Sequence, residues 1–140
     1  MFVLDSNVLS EVMRERPERA VLAWMDRQPA TELFTAATCE AEIRFGIVTL
    51  PVGRRREDLQ RSANRTFRGF LRGRILPFDS EAAQRYAVLA ADCRRAGKPM
   101  SINDAQIAAV AASHGATLAT RNTRHFRDCG IRVTNPWETT

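Results

Sequence analysis

The chain of 140 residues is long enough for one domain with a full hydrophobic core, and its 44% hydrophobic and 26% charged residues are typical of a soluble globular protein. No apolar run has the length of a membrane span, and the N-terminal run is too short for a signal peptide, so no membrane association is expected. The net charge of +5 and the pI near 10.0 favour an anionic partner such as nucleic acid.

The three cysteines indicate a reducing compartment. Cys39, Cys93 and Cys129 are widely spaced and form no C-x-x-C pair, so we expect free thiols in a reducing compartment, by default the cytoplasm.

The basic residues are mostly clustered arginines. All but one of the 21 basic residues are arginine, and eight of the arginines fall within 54–74. Arginine suits bidentate phosphate contacts, but a solvated helix face explains at least half of this cluster.

Short apolar strands alternate with amphipathic helices along the chain. Phe2 to Leu4 predicts a buried strand that ends on Asp5, and a helix from about Asn7 to Arg16 follows. The next predicted elements are a helix from Pro17 to about Gln28, a strand from Glu32 to Ala37, and a helix that is capped by Thr38 and runs to about Leu50. An arginine-rich helix is then predicted from Arg54 to Gly73. Its apolar stripe consists of Leu59, Ala63, Phe67, Phe70 and Leu71. The last are a strand from Ile75 to Phe78, a helix from Ser80 to Gly97, a helix opened by Ser101 and ended by Gly115, a strand at 116–120 and a strand from Ile131. This alternation predicts an α/β fold with a central, mostly parallel five-stranded sheet covered by helices on both faces.

Four polar side chains are predicted to meet at one edge of that sheet. Asp5 ends the first strand, and Glu42 lies one turn into the helix after the second. Asp104 lies in the first turn of the helix that Ser101 opens, and Asn122 directly follows the fourth strand. In open parallel sheets the functional groups lie just past the carboxyl ends of the strands, so this edge is the predicted site.

Each acid also has a purely structural interpretation. Asp5 can cap the helix that follows it, and the pair Ser101 and Asp104 resembles a capping box. Glu42 could be a solvated helix residue, although Glu40 fits that role better. The joint occurrence of the acids at one sheet edge favours a catalytic role over three separate caps.

Three carboxylates in one cleft repel each other and need compensation. A divalent cation supplies it, and a ligand set made only of oxygens favours Mg²⁺ or Mn²⁺ over zinc. Such an ion suits phosphate chemistry. The acidic pocket and the basic surface therefore fit one substrate, a polyanion whose backbone binds arginines while one phosphate meets the metal.

The segments that carry these residues resemble a known family. FVLDSNVLSE, TCEAEIRFG, SINDAQIAAVAASHGATLATRN and VTNPW are similar to PIN-domain ribonucleases, and more narrowly to the VapC and FitB type, the toxins of type II toxin–antitoxin modules. The similarity covers essentially the whole chain. It implies that residues 1–140 form a single PIN domain, a compact α/β/α sandwich, and that the activity is that of a Mg²⁺-dependent endoribonuclease.

The resemblance also implies roles for individual residues. Asp5 and Asp104 match the metal ligands of the family, and Glu42 matches a glutamate that is either a ligand or the group that positions water. Ser6 and Asn7 fall on a D-[ST]-N element that supports the site.

A fourth family position is often aspartate and is Asn122 here. Its amide oxygen can ligate Mg²⁺ but brings no charge, which leaves the number of metal ions open. His125 stands where some relatives have another acid, and no role is assigned to it.

The partners implied by the resemblance are RNA, a second copy of the chain in a homodimer, and a cognate VapB/FitA-like antitoxin. The antitoxin would lie across the toxin groove and carry the complex to operator DNA. The basic region from Arg54 to Arg74 could serve either RNA or an acidic antitoxin segment.

Two alternatives remain for comparison. A phosphatase of the haloacid-dehalogenase type also begins with a strand that ends in aspartate, but it requires a second acid two residues on, where this chain has Asn7. A PIN-fold nucleic-acid-binding or regulatory protein without toxin activity is the other alternative, and the presence of all three acids argues against it. Pro136 and Trp137 are expected to pack the chain end.

Overall fold

The computed structural model of the chain describes residues 1–138. Its main elements are β1 (Phe2–Leu4), α1 (Ser6–Val12), α2 (Arg19–Arg27), β2 (Leu33–Ala36), α3 (Ala37–Val48), α4 (Arg54–Asn64), β3 (Ile75–Leu76), α5 (Ser80–Arg95), α6 (Ile102–Ser113), β4 (Thr117–Ala119) and β5 (Val133–Thr134). Short 3₁₀ turns lie at Ala30–Glu32 and Thr123–His125.

The five strands form one sheet in the order β3-β2-β1-β4-β5, and every pair is parallel. Val3 and Leu4 point to opposite faces of β1 and both are fully buried, because helices cover both faces of the sheet. The predicted α/β/α sandwich is thereby confirmed. The chain places β2 and β3 on one side of β1, and then β4 and β5 on the other side. Where the direction of strand addition reverses in this way, a crevice opens at the carboxyl ends of the strands.

The ends of α5 and α6 follow the sequence signals closely. The Asp79 carboxylate accepts a hydrogen bond from the backbone N–H of Ala82 at 3.0 Å, and the Ser101 hydroxyl accepts one from the backbone N–H of Asp104 at 3.1 Å. Gly97, just past the end of α5, has a φ of 74°, a left-handed conformation that glycine adopts without strain.

Two predicted helix boundaries are wrong. α1 ends at Val12 and not at Arg16, because the chain folds back until the backbone N–H of Glu18 reaches the Glu11 carboxylate at 3.1 Å. Thr38 does not cap α3: Ala36 is the last extended residue, so the helix starts at Ala37, and the Thr38 hydroxyl is buried without a hydrogen bond partner among the described residues.

The arginine-rich helix changes its pitch halfway along. After α4 the chain continues as a π-helical turn over Arg65–Phe70, in which the N–H of Leu71 bonds to the carbonyl of Thr66 at 2.8 Å. The wider turn rotates the apolar stripe, so Phe70 is 45% exposed and the prediction that it belongs to the core is wrong. The stripe residues that are buried are Ala63, Phe67 and Leu71.

The hydrophobic core lies on both sides of the sheet. Its largest fully buried side chains include Phe67, Phe126, Leu4, Leu9, Leu33, Leu71 and Leu118. Within residues 1–138, no helix has the length and apolar character needed to cross a membrane. The central strand of the sheet is β1, and its carboxyl end carries the candidate site.

Candidate active site

Asp5 follows β1 directly and is only 7% exposed. Its Oδ1 accepts a hydrogen bond from the backbone N–H of Ser6 at 2.7 Å, so the side chain does cap α1. Its Oδ2 accepts a second bond of 2.7 Å from the Thr120 hydroxyl and a longer one of 3.4 Å from the Asn7 amide. The carboxylate is therefore held from the helix on one side and from the strand end of β4 on the other.

Thr120 is the centre of this network. It is fully buried, and its hydroxyl accepts bonds from the Asn7 Nδ2 at 3.2 Å and from the backbone N–H of Asn122 at 3.1 Å while it donates to Asp5. Because Leu4 pairs with Ala119, Asp5 and Thr120 occupy equivalent positions at the ends of adjacent strands. Thr120 is not among the residues predicted from the sequence, and the signal that would have found it is this equivalence.

Most of the predicted site residues line one cavity of about 490 Å³. Those that line it are Asp5, Ser6, Asn7, Glu42, Asp104 and Asn122. Ser101 does not line it and acts only as the cap of α6. The structure thus brings the four predicted polar positions together from four parts of the chain.

Asp104 does not complete a capping box. Its carboxylate oxygen Oδ2 lies 3.1 Å from Nδ1 of His125. Only its backbone N–H contacts Ser101. The acidic side chain is thereby free of the helix terminus and available to the cavity, and His125, to which no role was assigned, contacts it from the 3₁₀ turn after β4.

The carboxylates interact through their charges. Burial raises the pKa of Asp5 above its ordinary value, hydrogen bonds from Thr120 and Ser6 oppose that rise, and the charges of Asp104 and Glu42 add to it. Glu42 itself is exposed on α3 at the cavity wall. An acid with a raised pKa beside two further carboxylates is the electrostatic pattern of a functional site.

Glu11 is a fourth acid of the cavity and is not among the residues predicted from the sequence. It is 5% exposed, and besides the backbone N–H of Glu18 it accepts hydrogen bonds from the Arg14 guanidinium at 3.3 Å. Its spacing of four residues from Asn7 places both on one face of α1, which is the signal that could have found it. Glu11 holds Arg14 at the mouth of the cavity.

The presence of Asn7 argues against a phosphatase of the haloacid-dehalogenase type. The second acid that this chemistry needs is replaced by an amide whose nitrogen donates to Asp5 and Thr120. Its oxygen accepts the backbone N–H of Arg121 at 3.2 Å. Asn7 orients its neighbours and has no proton to give to a leaving group.

The cavity offers carboxylate oxygens to a divalent cation. No group of three or more His, Cys, Asp and Glu side chains within residues 1–138 is arranged to hold a metal ion. Mg²⁺ requires less, since it commonly binds through one or two carboxylates and keeps several waters. Cys39 also lines the cavity, but burial raises its pKa to about 12, so it stays a neutral thiol. The charged oxygens of Asp5 and Asp104 therefore fit Mg²⁺ or Mn²⁺ better than zinc.

The raised pKa of Asp5 leads to a prediction about stability. The native state binds the Asp5 proton more tightly than the unfolded chain does, so protonation of Asp5 increases the free energy of unfolding as the pH falls from above its native pKa toward the ordinary value of 3.8. Asp5→Asn has no such titration. With a chelator present, the melting temperature of the wild type minus that of Asp5→Asn should increase as the pH falls through this window. A difference that stays constant or decreases would show that the buried charge is not destabilising.

The basic region adjoins the acidic cavity. A larger cavity of about 1050 Å³ is lined by residues that include Arg14, Arg54, Arg55 and Arg65. Arg14 lines both cavities, so arginines of α4 continue the surface that begins at the acids. A polyanion in contact with the acidic cavity could extend over these arginines.

The chain resembles known proteins in sequence and in structure. Residues 2–131 match the model of the PIN domain family. The chain is 44% identical over 138 residues to VapC ribonuclease Y4jK of Sinorhizobium fredii, with 99% of each chain covered. It is 36% identical to Toxin FitB of Neisseria gonorrhoeae, covering 98% of this chain and 99% of the toxin. A solved structure of FitAB bound to an IR36 DNA fragment superposes with a TM-score of 0.93 at 35% identity, covering 100% of this chain and 98% of the other.

Proposed function

This chain belongs to the PIN domain family, and we propose that it is a Mg²⁺-dependent endoribonuclease that acts as the toxin of a type II toxin–antitoxin pair. The observation that carries the proposal is the convergence of Asp5, Glu42 and Asp104 on one cavity at the carboxyl end of the sheet. The relatives named as a VapC ribonuclease and as a toxin support it.

In the proposed mechanism, Asp5 and Asp104 hold the divalent ion, and Asn7, Ser6 and Thr120 fix the orientation of Asp5. When bound, the ion stabilises the charge of the phosphate and lowers the pKa of a water molecule. The remaining steps belong to the side chains.

Glu42, exposed at the cavity wall, orients the attacking water and accepts its proton. Asn122 contributes a neutral amide at the same wall. Because the amide adds no charge, Asp5 and Asp104 are assigned one Mg²⁺ ion. Arg14, held by Glu11, faces the RNA backbone at the mouth of the cavity.

The proposed partners follow from the relatives. FitAB was solved as a complex on DNA, and we propose that this chain binds a VapB/FitA-like antitoxin whose DNA-binding part carries the pair to operator DNA. We also propose a homodimer as the toxin's own assembly. RNA as the substrate and three free cysteines are consistent with action in the cytoplasm.

A matched pair of variants on α3 tests the function. Glu42 and Glu40 lie two residues apart, but only Glu42 lines the acidic cavity, while Glu40 pairs with Arg44 at 2.8 Å. We expect the wild type to cleave single-stranded RNA with Mg²⁺ or Mn²⁺, and Glu42→Gln to cleave it about a hundredfold more slowly because it lacks the proton acceptor. Glu40→Gln should match the wild type.

The same variants are then expressed in cells, alone and with the neighbouring upstream gene. Wild type and Glu40→Gln should stop growth, Glu42→Gln should not, and the neighbouring gene should restore growth. RNA cleavage that persists in a chelator would overturn the proposed metal dependence, and equal rates for Glu42→Gln and Glu40→Gln would overturn the role of Glu42 as proton acceptor. A purified chain that binds RNA without cutting it would instead identify a PIN-fold binding protein.

A further inference from the structure

A second cavity adjoins the acidic one and has a different character. Its volume is about 350 Å³, and Arg121 and Asn122 line both cavities, so these two residues form the wall between them. The far side carries Arg124 and Asn135, and Glu138 is the one carboxylate among the described residues that line it. A site rich in carboxylates is thus continuous with one rich in cationic and amide groups.

Arg121 is held in place at both ends. Its backbone N–H donates to Asn7 Oδ1 at 3.2 Å, and Asn7 in turn contacts Asp5, so the backbone of Arg121 is tied to the acidic site. Its guanidinium carbon lies 5.0 Å from the centre of the Trp137 ring. A guanidinium stacked on an indole keeps its N–H edge open for bidentate contacts to an anion. No carboxylate within residues 1–138 forms an ion pair with Arg121.

Trp137 forms the support for this arginine. It is half-buried, it lines the acidic cavity, and its backbone N–H donates to Asn135 Oδ1 at 3.0 Å. Its indole N–H is buried and has no hydrogen bond partner among the described residues. The sequence predicts only that Trp137 packs the chain end. In the structure the face of its ring also contacts the Arg121 guanidinium at the rim of the site.

We propose that Arg121, stacked on Trp137, binds the phosphate next to the scissile one, and that the second cavity receives the nucleotide attached to it. This subsite rests on the proposed ribonuclease function. An RNA strand that places one phosphate among the carboxylates must continue past the wall of the acidic cavity. The positive charge of Arg121 at this wall offsets the repulsion between the carboxylates and the RNA phosphates. The amides of Asn122 and Asn135 offer both donors and acceptors to a base edge or a 2′-hydroxyl.

The first test is the kinetics of Arg121→Ala, which removes the side chain and keeps the backbone N–H that bonds to Asn7. With an RNA that the wild type cleaves, we expect KM to rise about tenfold and kcat to change less than about threefold, the loss of one charged contact. Arg85→Ala is the matched control, because Arg85 is exposed on α5 and lines neither cavity. Its KM should equal that of the wild type.

The second test is the salt dependence of binding to a labelled single-stranded RNA of random sequence, in an Asp104→Asn background that cannot cleave. If Arg121 contacts a phosphate, Arg121→Ala should reduce the slope of log Kd against log salt by about 0.7. Arg121→Lys, which keeps the charge but not the planar stack, should restore the slope and only part of the affinity. Trp137→Ala should behave like Arg121→Ala, whereas Trp137→Phe keeps a ring and removes the unpaired indole donor, so it should fold and bind RNA nearly as the wild type does.

The outcomes separate the two proposals. A wild type that neither binds nor cleaves RNA contradicts the proposed function. If the wild type cleaves RNA and Arg121→Ala has the same KM and salt slope, the function stands and the subsite is wrong. A fall in kcat alone would make Arg121 a residue that positions the acidic site, and a defect confined to antitoxin binding would make this surface a protein interface; either result overturns the nucleotide subsite.

Discussion

Asp104→Asn is expected to lower the rate of metal-dependent RNA cleavage by roughly a thousandfold or more, since one of the two carboxylates assigned to the ion is lost and such electrophilic stabilisation is worth several kcal/mol. Growth inhibition should disappear with it. The measurement is the single-turnover cleavage rate in Mg²⁺ together with growth after induction. Asp5→Asn should give a loss of similar size.

The fold of Asp104→Asn should survive. The substituted amide oxygen can still accept the contact from His125, and the charge lost near the start of α6 is worth about 1 kcal/mol or less. Asp92→Asn is the control for the chemical change, because Asp92 is an exposed acid of α5 that pairs with Arg95 outside the cavity. Full activity in Asp104→Asn, or an equal loss in Asp92→Asn, would remove Asp104 from the mechanism.

Thr120→Val should lower the cleavage rate by about 10- to 100-fold although residue 120 touches neither the ion nor the RNA in the proposed mechanism. Valine has the shape of threonine but cannot donate to Asp5 or accept from Asn7 and the backbone of Asn122. Thr120→Ser keeps the hydroxyl and should retain most of the activity.

The stability of these two variants provides a second measurement. Thr120→Val removes a 2.7 Å hydrogen bond to the buried Asp5 carboxylate and the shared acceptor of Asn7 and of the Asn122 backbone, and we expect a loss of about 1–3 kcal/mol in the free energy of unfolding. The loss of the Thr120 bond should also raise the pKa of Asp5 further, so the acid limb of the rate profile should move to higher pH. If Thr120→Val cleaves RNA like the wild type, the buried network does not position Asp5 for catalysis.

The convergence of Asp5, Glu42, Asp104 and Asn122 could be predicted because it depends on one rule. The carboxyl ends of parallel strands lie at the same edge of a sheet, so residues far apart in sequence share a cavity once the order of strands and helices is known. The alternation of strands and helices also predicts the sandwich. Local signals of caps and left-handed glycines were sufficient for α5 and α6.

The missed residues acquire their roles mainly from contacts between segments that lie apart in the chain. Glu11 is buried because the chain folds back to present the backbone N–H of Glu18, and Thr120 matters because β4 lies beside β1 in one particular register. Phe70 was misplaced because a π-helical turn shifts the phase of its helix. For Glu11 and Thr120 tertiary contacts decide the role, whereas for Phe70 a local change of helix pitch decides the exposure.

The two outermost strands of the sheet, β3 and β5, are only two residues long. So short an edge offers few unpaired backbone groups to an incoming strand, and it protects the protein against edge-to-edge aggregation. A partner therefore gains little by extending the sheet. Any assembly of this chain, with itself or with another protein, must be specified by side chains on its helices and loops, so its binding preferences can diverge between relatives while the sheet that holds the acids stays the same.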